Sequence, residues 1–232
     1  MSALFRTRRL ALVPALAGFM ALTACGGGGD GGTPLTPISP TPPAPYATCS
    51  AAGVAASTAS TATVTVCMLT TQGEIVVALD PVKAPLSVAN FLRYVAADQY
   101  TNTLYHRVIK DFVIQGGGYA AVLSEGFTAT LVEKATFPPI ALESNNGLSN
   151  VRGTIAMART NVLNSATAQF YINTVNNTAL DYVAGVPGRE GYAVFGQVIY
   201  GLDNVDKINV VPTTAERPRQ DVVTYWAQKL KG

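Results

Sequence analysis

A fold dominated by β-structure, a closed barrel with helical caps, is the class this 232-residue sequence predicts. Three observations lead there. Short apolar segments recur with a period of two, Gly, Asn and Pro interrupt them as turns between strands require, and few segments carry apolar residues at helical spacing. The chain is 48% hydrophobic and only 13% charged. That is about half the charge of an average soluble domain and excludes a highly charged disordered chain. No apolar run reaches the roughly 18 residues of a spanning helix, so a multi-spanning membrane protein is excluded too. Residues 61–232 contain no long low-complexity break and no internal repeat, and form one domain able to bury about two-thirds of its surface.

In chain order, residues 1–24 read as an export signal. Arg6, Arg8 and Arg9 precede an apolar stretch over 10–22, too short to remain as an anchor, and small residues lead to Cys25. The segment Leu22-Thr23-Ala24-Cys25 resembles the lipobox of bacterial lipoproteins, which implies cleavage before Cys25 and a diacylglycerol on its sulfur. Gly26 stands where that family's inner-membrane retention signal is an Asp, so the expected location is the outer membrane, facing the periplasm. Residues 25–60 form a tether: a glycine run through Gly32, a Thr/Pro tract through Pro45, then a stretch of small residues. Glycine runs are flexible and proline tracts extended, so together they hold a domain away from a surface. With Cys25 acylated, Cys49 and Cys67 remain as a candidate disulfide in an oxidising compartment; otherwise Cys67 is a buried apolar residue and Cys49 a free thiol.

Within the domain, residues 63–69 alternate, with Val64, Val66 and Met68 on one face. Ile75, Val77 and Leu79 repeat the alternation after the turn at Thr71-Gln72-Gly73, so a β-hairpin is expected. Pro85 and Ser87 introduce Val88, Phe91, Leu92 and Val95 at helical spacing, with Ser87 able to cap the helix. Beyond Tyr100, further strands are expected over 108–115, 155–158, 169–174 and 193–199.

The formal charge of +2 reflects the leader; without its three arginines the balance is 13 basic to 14 acidic residues. Such a chain has no electrostatic grip on a phosphate backbone, and nucleic-acid binding is not expected. His106 is the only histidine, which excludes a zinc site built on two imidazoles and leaves one candidate base for a nucleophile; we read it as structural. No Gly-x-Ser-x-Gly elbow and no nucleotide-binding glycine loop is present. Neither metal nor cofactor is expected.

The informative segment runs Tyr105-His106-Arg107-Val108-Ile109-Lys110-Asp111-Phe112-Val113-Ile114-Gln115-Gly116-Gly117-Gly118. A turn at Lys110-Asp111 would bring Phe112 and Gln115 back to the surface that carries Arg107. Read alone, an arginine, an aromatic and an amide beside a glycine run have several uses, an ordinary hairpin with a surface arginine among them.

This segment resembles the signature of the cyclophilin family of peptidyl-prolyl isomerases, and further motifs fall in the family's order: Asn90-Phe91-Leu92, Asn146-Gly147-Leu148, residues 152–160, 168–173 and 192–199. The resemblance implies an eight-stranded antiparallel barrel closed by two helices. It implies that Arg107 is the catalytic donor and that Phe112, Val113, Tyr171 and Leu180 line a socket for the substrate proline, with Met157 nearby. Gln115 would hold Arg107 and the peptide, Gln169 and Tyr192 would stand at the site, and backbone groups of Ala158, Arg159 and Thr160 would pair with the extended substrate. The partners implied are proline-containing unfolded or flexible polypeptides, acted on by a monomer held to a membrane by its lipid. Four positions depart from the family pattern. Val113 replaces a methionine, Tyr171 a phenylalanine, Ala179 a Trp or Phe at the pocket rim, and Tyr192 the histidine of eukaryotic members, this last as in bacterial relatives. The first three leave open an alternative, a proline-peptide-binding chaperone or assembly module with weak turnover, and Ala179 implies weak cyclosporin sensitivity. A structural lipoprotein using the barrel only as a scaffold is the third reading.

Overall fold

The computed structural model describes residues 47–232 except 125 and 126, and only the backbone of 121–130. The leader, Cys25 and the tether up to Tyr46 lie outside the described residues. The elements are α1 (Ala51–Ala59), β1 (Val64–Thr70), β2 (Gly73–Leu79), α2 (Pro85–Ala96), β3 (Thr103–Leu104), β4 (Arg107–Ile109), β5 (Val113–Gly116), β6 (Tyr119–Ser124) and β7 (Phe127–Glu133). There follow β8 (Thr154–Met157), β9 (Phe170–Asn173), a 3-10 turn (Thr178–Leu180), β10 (Val194–Tyr200), α3 (Leu202–Asn209), β11 (Thr213–Thr214), β12 (Arg217–Pro218) and β13 (Val223–Lys231).

Eleven strands share one antiparallel sheet in the order β4-β5-β9-β8-β10-β2-β1-β13-β3-β6-β7. The sheet closes on itself because β3 and β4 are two halves of one chain segment, residues 103–109. One half pairs with β13 and β6, the other with β5. Since β5 runs on into β6, the ring consists of eight chain segments, with β7 appended at its edge. The step from β5 to β6 needs Gly117: its φ is 88°, and a Cβ there would lie 2.9 Å from both the Ala168 carbonyl and the Tyr100 ring.

The barrel interior holds Val66, Met68, Ile75, Val77, Ile114, Ile155, Phe170, Ile172 and Phe195. From α2, Phe91 plugs it, with ring centroids 5.0 to 5.7 Å from Tyr100, Phe170 and Phe195. Val205 and Ile208 of α3 join the same core. Pro85 opens α2 as the first-turn position allows. Ser87 does not cap it, however. It lies buried inside the first turn, and the Glu143 carboxylate, from 57 residues away, accepts the free N–H groups of Leu86 and Ser87 at 2.8 and 2.7 Å.

The hairpin β1–β2 is in the expected register, yet both of its faces are buried. The reason is α1, which lies in the segment read from sequence as tether. It covers a second apolar cluster of Cys67, Leu69, Val76 and Trp226. Ser50 caps α1 by accepting from Gly53 N–H, and its own N–H and hydroxyl both donate to the Glu74 carboxylate at 2.7 Å. Gly53 is required by close approach: a Cβ there would collide with that carboxylate and lie 2.7 Å from Cys49 Sγ. Cys49 and Cys67 form a disulfide, with Cα atoms 6.1 Å apart, that ties the start of α1 to β1. The small residues that make the segment look featureless are those that let a helix lie this close to a sheet.

Candidate functional site

The site is built on the outer face of β4, β5, β9 and β8. The registers Arg107↔Gln115, Gln115↔Tyr171 and Tyr171↔Ala156 put these four residues in one row across the sheet, hence on one face. The neighbouring positions Val108, Ile114, Ile172 and Ile155 point into the core. The outer face carries its own apolar cluster of Val113, Ala156, Ala158, Tyr171 and Val194, flanked by Phe112, Leu148, Leu180 and Tyr192. Met157 belongs to the interior, so the Ala-Met-Ala strand presents its alanines to the site and its methionine to the core. Asp111, at φ 56°, makes the turn between β4 and β5, and its N–H donates to Asn209 at the end of α3 (3.0 Å). Thus a capping helix fixes the turn that delivers Phe112.

Together Arg107, Phe112, Val113, Gln115, Ala158, Arg159, Tyr171, Leu180 and Tyr192 line a pocket of about 120 Å³. Arg107 stands at its polar side, where Nη1 lies 3.5 Å from Gln115 Oε1. Gln115 Nε2 in turn donates to Gln169 Oε1 at 2.9 Å. Gln169 therefore stands behind the pocket and holds Gln115. Thr160 lies outside the pocket, and its N–H donates to Ser165 Oγ, so that group is not free to pair with an extended peptide. The Arg159 guanidinium packs 4.5 Å over the Tyr192 ring and donates to the Gly191 and Thr160 carbonyls. Tyr192 meets Tyr171 edge to face at 5.9 Å. Ala179 lines a neighbouring recess of about 300 Å³ that shares Arg159, Leu180 and Tyr192 with the pocket.

The Tyr171 hydroxyl finds its partner in Asn150 Oδ1, to which it donates at 2.7 Å. Burial pushes this phenol far above its ordinary range, so it stays a neutral donor. Asn150 is fully buried and donates twice to Asp181, through its N–H at 2.7 Å and its Nδ2 at 2.9 Å. Asn173 donates to Asn150 and Thr154, and Asn177 donates to Asn173 and to the Phe112 carbonyl. A closed amide network thus braces the pocket floor and one wall. Sequence reading did not assign Asn150, Asn177 or Asp181 to the site. The only local signal was an excess of asparagine in segments without strand or helix periodicity.

His106 lies beside the site but outside the pocket, edge-on to Tyr119 at 4.6 Å. Burial, reinforced by the charges of Arg107 and Arg217 and opposed by a hydrogen bond with the Leu104 backbone, lowers its pKa to about 4. A neutral imidazole is what a structural role requires. The pocket combines apolar side chains, the guanidinium groups of Arg107 and Arg159 and a braced amide, with no carboxylate and no histidine in its lining. Such a site can bind a small ring and stabilise electron density on an adjacent atom without proton transfer.

Residues 65–227 match the family model described as cyclophilin type peptidyl-prolyl cis-trans isomerase/CLD. A peptidyl-prolyl cis-trans isomerase of Streptomyces antibioticus is 48% identical over 158 residues, which cover 68% of this chain and 90% of the relative. Peptidyl-prolyl cis-trans isomerase B of Escherichia coli is 47% identical over 153 residues, covering 66% and 88%. The crystal structure of a cyclophilin type isomerase of Cryptosporidium parvum, determined in the presence of the dipeptide Ala-Pro, shares the fold with a TM-score of 0.54 at 24% identity, covering 70% of this chain and 96% of that one. By the extent of the family match and the identity to these relatives, the chain belongs to the cyclophilin-type peptidyl-prolyl cis-trans isomerases.

Proposed function

We propose that the protein accelerates cis-trans isomerisation of X-Pro bonds in exported polypeptides, with Arg107 as the catalytic residue. One observation carries this reading: a guanidinium, held by Gln115, lines a pocket walled by Phe112, Val113, Tyr171 and Leu180 that contains neither carboxylate nor histidine. The amide resists rotation by about 18–20 kcal/mol because the nitrogen lone pair is delocalised. In the twisted transition state the prolyl nitrogen regains that lone pair. A donor aimed there binds the transition state better than either planar ground state, and lowering the barrier by about 7 kcal/mol corresponds to roughly 10⁵ in rate. Phe112, Val113, Tyr171 and Leu180 grip the ring while the amide turns. No covalent bond forms or breaks, and no cofactor is needed. The reading is tested by a proline-tetrapeptide assay on the purified protein, where acceleration is expected from the native protein and not from Arg107→Ala.

The chain acts as a monomer, exported and anchored through a diacylglycerol on Cys25, in the outer membrane facing the periplasm. Support comes from the leader and lipobox-like segment, from Gly26, and from the Cys49–Cys67 disulfide, a bond that persists in oxidising compartments. Labelling with a radioactive fatty acid in the producing cell is expected to mark the native protein and not Cys25→Ser. A chaperone that retains clients and turns over slowly is favoured by one feature, the recess left open beside Ala179. It predicts unfolded-client binding that survives Arg107→Ala with little turnover to lose.

A further inference from the structure

We propose that Glu216 is a positioning residue for Arg107, a role that rests on the isomerase reading above. Glu216 Oε2 accepts from Arg107 Nε at 2.6 Å, the shortest described ion pair in the molecule, across 109 residues of sequence. With Nε held by Glu216 and Nη1 near Gln115, the planar guanidinium is fixed at two points, and Nη2 has no protein partner among the described residues. That leaves the donor capacity of Nη2 uncommitted beside the pocket that Arg107 lines, in a plane set before substrate arrives.

The backbone around Glu216 argues that this contact is not incidental. Ala215 and Glu216 form the tip of the β11–β12 hairpin and both have left-handed φ, 47° and 67°, without a glycine between them. Such a pair is strained, and side chains of this kind persist where the surroundings hold them and cluster at functional sites. Here the tip is bolted to the strand that carries the arginine, because Val108 N–H donates to the Glu216 carbonyl at 2.7 Å. The two side chains are 38% and 49% exposed, and an ion pair this open contributes little to stability. An ion pair that adds little to stability, delivered from a strained turn onto the catalytic guanidinium, is best explained by what it does to that guanidinium. The next acidic side chain along the hairpin, Asp221, is 3.8 Å from Arg217 instead.

The experiment compares full-length native protein with Glu216→Ala, Glu216→Gln and Glu216→Asn, alone and combined with Arg107→Ala, in a proline-peptide assay. It also follows the Arg107 Nε–Hε resonance by NMR. Asparagine tolerates the left-handed turn but is too short to keep the contact, so it separates loss of the carboxylate from collapse of the hairpin. The expected result is a kcat about tenfold lower for Glu216→Ala and Glu216→Asn, with KM within about twofold, as slight misplacement of a catalytic group produces. Glu216→Gln should recover part of kcat, melting temperatures should be unchanged, and the Nε–Hε resonance should move upfield in all three. On an Arg107→Ala background Glu216→Ala should have no further effect. Native kcat in Glu216→Ala, or native kcat in Glu216→Asn with an unmoved resonance, would overturn the role of Glu216 while leaving Arg107 catalytic. Full activity in Arg107→Ala alone would overturn the isomerase reading, and the role of Glu216 with it.

Discussion

Two hollows on this molecule differ in size by almost a factor of five, and the smaller one is the candidate site. The larger, of about 570 Å³, is lined by residues such as Ala62, Pro81, Val82, Leu148 and Gln197; the smaller, of about 120 Å³, holds Arg107. They are close neighbours, since Leu148 and Val194 line the larger hollow and belong to the apolar cluster behind the smaller. The larger has no cation in its lining, and its one carboxylate, Asp80, is occupied by the N–H groups of Val82 and Lys83. Room alone therefore supplies no chemistry. The smaller hollow has a fixed charge, a braced floor and a volume suited to a ring, and a bond rotation needs little else.

That contrast can be broken most sharply by filling each hollow in turn. Ala158→Phe fills the small pocket and should lower kcat/KM by about a hundredfold, the scale of losing a positioned ground state. Val151→Trp, at the exposed edge of the large hollow, should leave the same peptide assay unchanged. Equal losses would show that the two hollows act as one site.

A second contrast is between the site face and the face covered by α1. The disulfide closes a loop with a sequence separation of 18 residues, so Cys49→Ser with Cys67→Ser should remove about 3 kcal/mol of stability. Urea unfolding should register that loss while kcat/KM stays at its native value, because α1 packs chiefly against β2, β10 and β13.

pH separates the same two properties. The folded-state pKa of His106 is lowered to about 4 from the ordinary 6.5, so the unfolded chain takes up the proton first. Its contribution to stability is complete above about pH 6.5 and is lost progressively as pH falls toward about 4. Thermal melts should show this acid-side loss, and His106→Asn should reduce it. Turnover measured between pH 6 and 9 should be flat, since neither a carboxylate nor a histidine lines the pocket.

The smallest effect is expected at the pocket floor. Tyr171→Phe removes one donor from Asn150 Oδ1, which still accepts from Asn173 at 3.2 Å. A cost of about 1 kcal/mol in stability is expected, with kcat/KM changed by less than about threefold. A large loss of turnover would mean that the hydroxyl itself touches substrate.

What the sequence made legible is what lies close together along the chain. The β1–β2 hairpin follows from alternation across one tight turn, and Arg107, Phe112, Val113 and Gln115 sit within nine residues on two paired strands and the turn between them. Glu216 and Arg107 meet only because the barrel closes, and no periodicity links positions 109 residues apart. The same holds for Glu143 at the start of α2 and for Asn150 beneath Tyr171. The helix α1 escaped for a different reason: nine small residues have no apolar stripe to read, and their helicity depends on a sheet surface to pack against. Where Thr160 was expected to pair with substrate, a hydroxyl five residues on takes its N–H, a local turn that strand logic does not foresee.

On the mechanism we propose, Arg107 favours the twisted amide and not merely the bound peptide. Exchange NMR on a proline peptide with substoichiometric protein measures both at once, through cis-trans cross-peaks and through binding-induced shifts. Strong exchange cross-peaks are expected with native protein, and with Arg107→Ala retained shifts but cross-peaks no stronger than for free peptide. Cross-peaks of native intensity from Arg107→Ala would contradict it.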